Sequence, residues 1–340
     1  MLTRKNLFLF PLIAVVLTSC GSNKLDVDAS DVKIDVKYED MRSKMFKSKG
    51  DKLLKTHKRY QNEMPDIYNY FLGACMEFPQ SYTDSVFLSG MDAFQKDQHM
   101  KSFEKEIDKK FKDLKPIEAT LNDGFKHLKY HVPSIKLPKY VVFMNTLFRS
   151  SVWCTDNEIG IGLGNYLGEK SKTVSQLNPQ VFYQWIKKAM NRDFLERDVA
   201  ENWIRTHVIE ENQEGNLIER IVQEGKILYF TKAAFPEMED HLILRYSKKQ
   251  WKWAEENEFA FWKYLRDNQM LFKAEEITVM NLLNPGPKTP GLPIEGSPDR
   301  MGQYLGYKIV LDYMENTETS VKGLIEKPYN EIINEYQPKE

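Results

Sequence analysis

The stretch Asp198–Phe230, DVAENWIRTHVIEENQEGNLIERIVQEGKILYF, constrains this chain more than any other. Ala200, Trp203, Ile204, His207 and Val208 recur at helical spacing and define one apolar face. Leu217, Ile218, Ile221 and Val222 define a second. Asn212, Gln213, Gly215 and Asn216 between them are turn residues. Two amphipathic helices on a short connector must bury those faces together, so a central helix pair is expected. His207 and Glu224 are polar groups on these faces. Each needs a partner, or it costs roughly 1–3 kcal/mol.

A helix carrying H-E-x-x-H, followed by a helix that supplies a Glu, is one way to hold catalytic zinc. The five residues ending at His207 are Trp-Ile-Arg-Thr-His. Trp203 stands at the first His position and Ile204 at the general base. One His and one Glu fall short of the three protein ligands such a site uses, and no base is left to activate water. His207 and Glu224 therefore read as polar groups of a core or a cleft. No catalytic residue, metal or cofactor is expected. The rival reading is a divergent zinc-dependent metallohydrolase, its third ligand drawn from His241 or from the His127/His131 pair.

The N-terminus carries a different signal. Arg4 and Lys5 precede an apolar run, Leu7–Leu17, that is short for a bilayer span. Leu17-Thr18-Ser19-Cys20 then reads as a lipobox. Residues 1–19 are expected to be a lipoprotein signal peptide, with Cys20 lipidated and 20–31 serving as a polar tether. Acyl chains would hold the protein to the membrane at about 0.8 kcal/mol per buried CH₂. Gly21 in place of Asp removes the signature for inner-membrane retention. Asp26, Asp28 and Asp31 are too spaced to form a surface-export cluster. The expected location is the outer membrane, facing the periplasm. Cys75 and Cys154 remain, and in an oxidising compartment they either pair or stay as two buried thiols. The balance of 48 basic against 49 acidic residues offers no nucleic-acid footprint.

Residues 32–132 read as mainly helical and 133–340 as containing strands, within one domain spanning 32–340. Val32–Tyr38 alternates as a short strand, and His57 lies in a Lys-rich stretch that reads as surface. Tyr140–Phe148, Ser151–Cys154 and Glu158–Leu163 read as strands. Gly160, Gly162 and Gly164 bare one side of the last of these, so something approaches its backbone closely. Trp251, Trp253 and Trp262 lie in an aromatic helical stretch that reads as core, with a glycan platform as the lesser alternative. Ser297 and Pro298 suit the start of a helix whose Gly302 and Gly306 call for close packing, expected against the central pair. Arg300, in its first turn, is the most cleft-like cation of the chain.

With these residues in view, the sequence resembles the gliding-motility lipoprotein GldB family. The likeness rests on the lipobox at Cys20, TDNEIGIGLGNYLG (Thr155–Gly168), LIERIVQEGKILYF (Leu217–Phe230), the Trp-rich Gln250–Trp262, and Asn284–Met314 ending in SPDRMGQYLGYKIVLDYM. It implies a role in gliding, with partners in the envelope machinery of cells that use type IX secretion. A more distant likeness is to predicted zinc peptidases, on Glu224, Gly225 and His207. Together they imply an α+β, mostly helical fold with a small sheet, a zincin-like core and amphipathic helix pairs. The metal site would be vestigial, with His207, Glu224 and Arg300 in its cleft. The strand of Gly160, Gly162 and Gly164 would be an edge able to take a partner's strand.

Overall fold

The computed structural model describes residues 23–209, 214–292, 296–334 and 336–338. Strand β1 (Lys37–Asp40) leads into helices α1 (Met41–Lys47), α2 (Gly50–Glu63), α3 (Pro65–Tyr70), α4 (Asp84–Lys96), α5 (Gln98–Lys110) and α6 (Lys115–His131). Strands β2 (Tyr140–Met144), β3 (Val152–Cys154) and β4 (Glu158–Gly162) follow. The rest is helical: α7 (Leu195–His207), α8 (Leu217–Ala234), α9 (Lys248–Glu256), α10 (Glu258–Asp267), α11 (Glu276–Leu283) and α12 (Met301–Asn316), joined by shorter helical turns. The architecture is α+β and mostly helical, with one small sheet.

The sheet runs β1-β2-β4-β3. β1, β2 and β4 are parallel, and β3 returns antiparallel on β4. The expected strand at Val32–Tyr38 enters the sheet only at its end, and pairs through Lys37–Asp40. That pairing ties the N-terminal helices to the strand-containing half. β2 is buried along its whole length, as a strand covered on both faces must be. Val141 and Phe143 point into the main core with α6, α7, α8 and α12. Tyr140, Val142 and Met144 point into a smaller core formed by α1–α4.

The glycine-bearing strand is not an edge. β4 lies between β2 and β3, so both of its backbone rows are already paired. Gly160 and Gly162 sit opposite Val142 and Met144, on the face of the smaller core. A Cβ on Gly160 would press into Met144 and Ile67, and one on Gly164 into Phe103. At Gly162 it would meet the Ser150 carbonyl and the Thr146 hydroxyl. The close approach expected there is real, but the chain's own side chains make it. β4 therefore offers a partner's strand no free hydrogen-bonding edge at Gly160 or Gly162, and Gly164 lies beyond its end in a helical turn.

Two further expectations change. His57 is buried rather than exposed: its Nδ1 bonds the Tyr68 hydroxyl at 2.7 Å and its ring stacks on Phe87 at 3.9 Å. Residues 24–29 are not a loose tether. Leu25 and Ala29 are each 2% exposed, and the Lys24 ammonium is bound by backbone carbonyls at the end of α12. Cys75 and Cys154 are both free thiols, Cys75 in the smaller core and Cys154 half-buried on β3. Burial pushes the Cys154 thiol up to about 12, against a weaker lowering by Thr206.

The contact that places the functional region is the crossing of α8 and α12, the most extensive helix packing of the fold. Gly225 and Gly306 meet there. A Cβ on Gly225 would overlap the Gly306 carbonyl, and one on Gly306 would overlap the Ile221 carbonyl. Only glycine lets two helix backbones come this close. The expectation for Gly306 holds, whereas Gly302 packs instead on Leu282 and Leu283 of α11.

Candidate functional site

α7 and α8 pack side by side as the central pair, and α8 starts with a reciprocal cap between Asn216 and Glu219. The pair does not bring His207 to Glu224. His207 stacks on Trp203 at 3.6 Å and its Nδ1 lies 2.7 Å from the Thr206 hydroxyl. Burial pushes its imidazole below the ordinary histidine range. The residue facing Glu224 is Arg205, in a two-pronged pair at 2.6 and 2.8 Å. Residues two apart on a helix point about 200° apart, so Arg205 and His207 cannot serve one site.

Arg205 also bonds Glu201, one turn earlier, at 3.0 Å. The positions that converge with Glu224 are thus 201 and 205, spaced i, i+4. This is the spacing the sequence suggested for 203 and 207, displaced by two residues. The network continues inward. Glu201 pairs with Arg197, Arg197 with Asp198 at 2.9 Å, and Asp198 accepts from Tyr166 at 2.9 Å and forms an ion pair with Arg245 at 3.1 Å. Burial alone would raise the Glu201 carboxyl, but the Arg197 and Arg205 guanidiniums outweigh it and hold it down to about 2. For Arg205, burial is likewise outweighed by Glu224 and Glu201, so its guanidinium is locked in the charged state.

This network opens on a cavity of about 430 Å³, lined among others by Arg205, Arg220, Glu224, Arg245, Arg300 and Gln303. Arg300 is among the residues lining this cavity. It is not in the first turn but is the N-cap of α12, in the left-handed region at φ 54°. The Ser297–Pro298 start is therefore displaced to Met301. A non-glycine residue in that region carries backbone strain, which the surroundings must hold in place. Asp299 does so, bonding Arg300 at 2.9 Å and the Gly286 N–H at 3.1 Å. Arg220 pairs outward with Glu276 at 2.8 Å.

The other proposed ligands lie elsewhere. His241 donates from Nδ1 to the Tyr246 carbonyl at 2.8 Å, and His127 donates to the Asp123 carbonyl at 2.9 Å. Burial holds His131 down to about 4. Among the described residues, no three His, Cys, Asp or Glu side chains are grouped to hold a metal ion. Trp251, Trp253 and Trp262 pack half-buried against the main core, and Tyr304 and Tyr336 meet Trp251 and Trp262 edge-on. They form no open platform. Cys20 lies outside the described residues. Sequence reasoning missed Glu201, Arg205 and Arg245. The Glu201/Arg205 spacing was the available signal for the first two.

Fold and site together define a mostly helical α+β protein whose central helix pair meets across an ion-paired cleft. The family model of the gliding motility protein GldB, GldB_lipo, matches residues 22–338, and the chain belongs to that family. Membership implies involvement in gliding motility, and the family's lipoprotein name suggests a membrane-anchored envelope protein. No curated protein and no solved structure matches the chain. Among the described residues, no helix is long and apolar enough to cross a membrane.

Proposed function

We propose that this chain is a non-catalytic component of the gliding apparatus and its type IX secretion route. It is anchored by a lipid on Cys20 in the outer membrane, facing the periplasm, and binds a protein partner at the arginine-lined cleft. One observation carries the non-catalytic part: the Arg205 guanidinium lies between Glu201 and Glu224. On this reading the helix pair is a zincin-like scaffold in which a fixed organic cation stands where a metal would bridge two helices. An arginine never gives up its proton at physiological pH and cannot polarise a water as a metal does. It binds carboxylates in a planar fork, so the cleft keeps a recognition chemistry suited to acidic groups and backbone carbonyls of a partner.

The test is a photo-cross-linking residue placed at Gln303, on the cleft wall, in gliding cells. A discrete protein adduct is expected in wild type. Arg205→Met should abolish it and gliding together, at unchanged protein level. Near-stoichiometric zinc in protein purified without chelators, lost in both Glu201→Gln and Glu224→Gln, would overturn the reading in favour of a metallohydrolase.

A further inference from the structure

The last four carbonyls of a helix have no partner within it, and the helix dipole makes that end attractive to cations. α12 has no basic residue in its last turn. The missing cation comes from the other end of the sequence. The Lys24 ammonium bonds the carbonyls of Met314 at 2.6 Å, Thr319 at 3.0 Å and Thr317. The chain around it is fastened as well. Asn23 closes a turn onto Leu25 and Asp26, Leu25 and Ala29 are buried, and Lys126 holds the Ser30 carbonyl at 3.1 Å.

We infer that this clamp fixes which end of the protein faces the membrane. The inference rests on the proposed lipidation of Cys20. Cys20 lies four residues before Lys24, and even a fully extended chain spans at most about 3.6 Å per residue, so the lipid on Cys20 is attached within about 14 Å of Lys24. The surface around Asn23, Lys24 and Thr317–Ser320 therefore rests against the bilayer. α12 has 16 residues, about 24 Å at 1.5 Å per residue. Arg300 and Gln303, at its opposite end, line the cleft. An attachment within this distance lets the body tilt but not turn over. The cleft accordingly opens into the aqueous compartment, where a protein partner meets it. Lys24 thus acts as a positioning residue, turning a lipid anchor into an oriented mount.

The test places a photo-reactive phenylalanine analogue at Glu318, exposed beside the clamp, or at Asn284, exposed on the cleft rim. Lipid adducts are read by mass spectrometry on the full chain in cells. At least tenfold more phospholipid adduct at Glu318 than at Asn284 is expected. Lys24→Ala combined with a 20-residue Gly/Ser insertion after Gly21 should collapse that ratio towards one. Equal adducts at the two positions in otherwise wild-type protein, with Cys20→Ala released from membranes, would overturn the orientation alone. Unchanged membrane retention in Cys20→Ala would overturn the anchoring reading and the orientation with it.

Discussion

Two arginine centres hold this molecule, and they balance the same forces in opposite ways. Arg42 of α1 joins Glu104 and Asp108 of α5, at 2.6 and 2.8 Å, and Asn145 donates to Glu104 at 2.7 Å. Arg42 and Glu104 are each only 3% exposed. Burial nevertheless raises the Glu104 carboxyl above its usual range, because one guanidinium and one amide do not repay the lost water. At the helix pair, Glu201 sits between two guanidiniums and is held far below its usual range. The Arg42–Glu104 pair is closed, with Asp108 at its exposed rim, and it fastens the N-terminal helices together. The Arg205 centre is open to a cavity, with Arg205 and Glu224 at 23% and 14% exposure. A buried pair with no opening is architecture. A pair of similar parts facing a cavity is architecture that a partner can also touch.

Removing each arginine separates the two. Arg42→Met leaves Glu104 buried without a cation, and a loss of about 3–5 kcal/mol is expected in urea unfolding. Adding Glu104→Gln should recover a large part of that loss, since the uncompensated charge is gone. Arg205→Met should cost less, about 1–2 kcal/mol, because Glu201 keeps Arg197 and Glu224 can turn to water in the cleft. Equal losses in the two variants would erase the distinction between a closed and an open centre.

The sequence made the helix pair legible because apolar residues at helical spacing mark any helix that must bury one face. The tight crossing at Gly306 was legible for a similar reason, since two spaced glycines in a helix invite a close neighbour. The register of the site on α7 was not. Trp203, Ile204 and Ala200 mark the core face, and that drew His207 into the reading. Arg197 and Asp198 are buried too, and Glu201 and Arg205 partly so, because they neutralise one another, and apolar periodicity is blind to such burial. His57 was misread for a related reason. Its lysine-rich neighbours point outward, while a tyrosine hydroxyl and a phenylalanine ring satisfy it inside. The interior position of β4 depends on its pairing with β2 on one side and β3 on the other. No pattern within Gly160–Gly164 itself encodes those neighbours.

The smallest effect sharpens the comparison most, because the two glutamates should answer pH with opposite sign. Glu201 has a folded value of about 2, below its unfolded value of about 4.3. Its contribution to stability is therefore full above the unfolded value and is lost as pH falls towards 2. Glu104 is shifted upward, so its contribution is present below the unfolded value and is lost as pH rises through its folded one. Urea midpoints measured from pH 6 down to pH 2.5 should show wild type losing stability at the acid end. Glu201→Gln should remove on the order of 1 kcal/mol of that loss. Glu104→Gln should leave the acid loss in place and gain relative stability towards pH 6, where the native carboxylate is costly. Parallel curves for the two variants would mean that the second guanidinium at the helix pair does not set the charge of Glu201, and the open centre would then differ from the closed one in access alone.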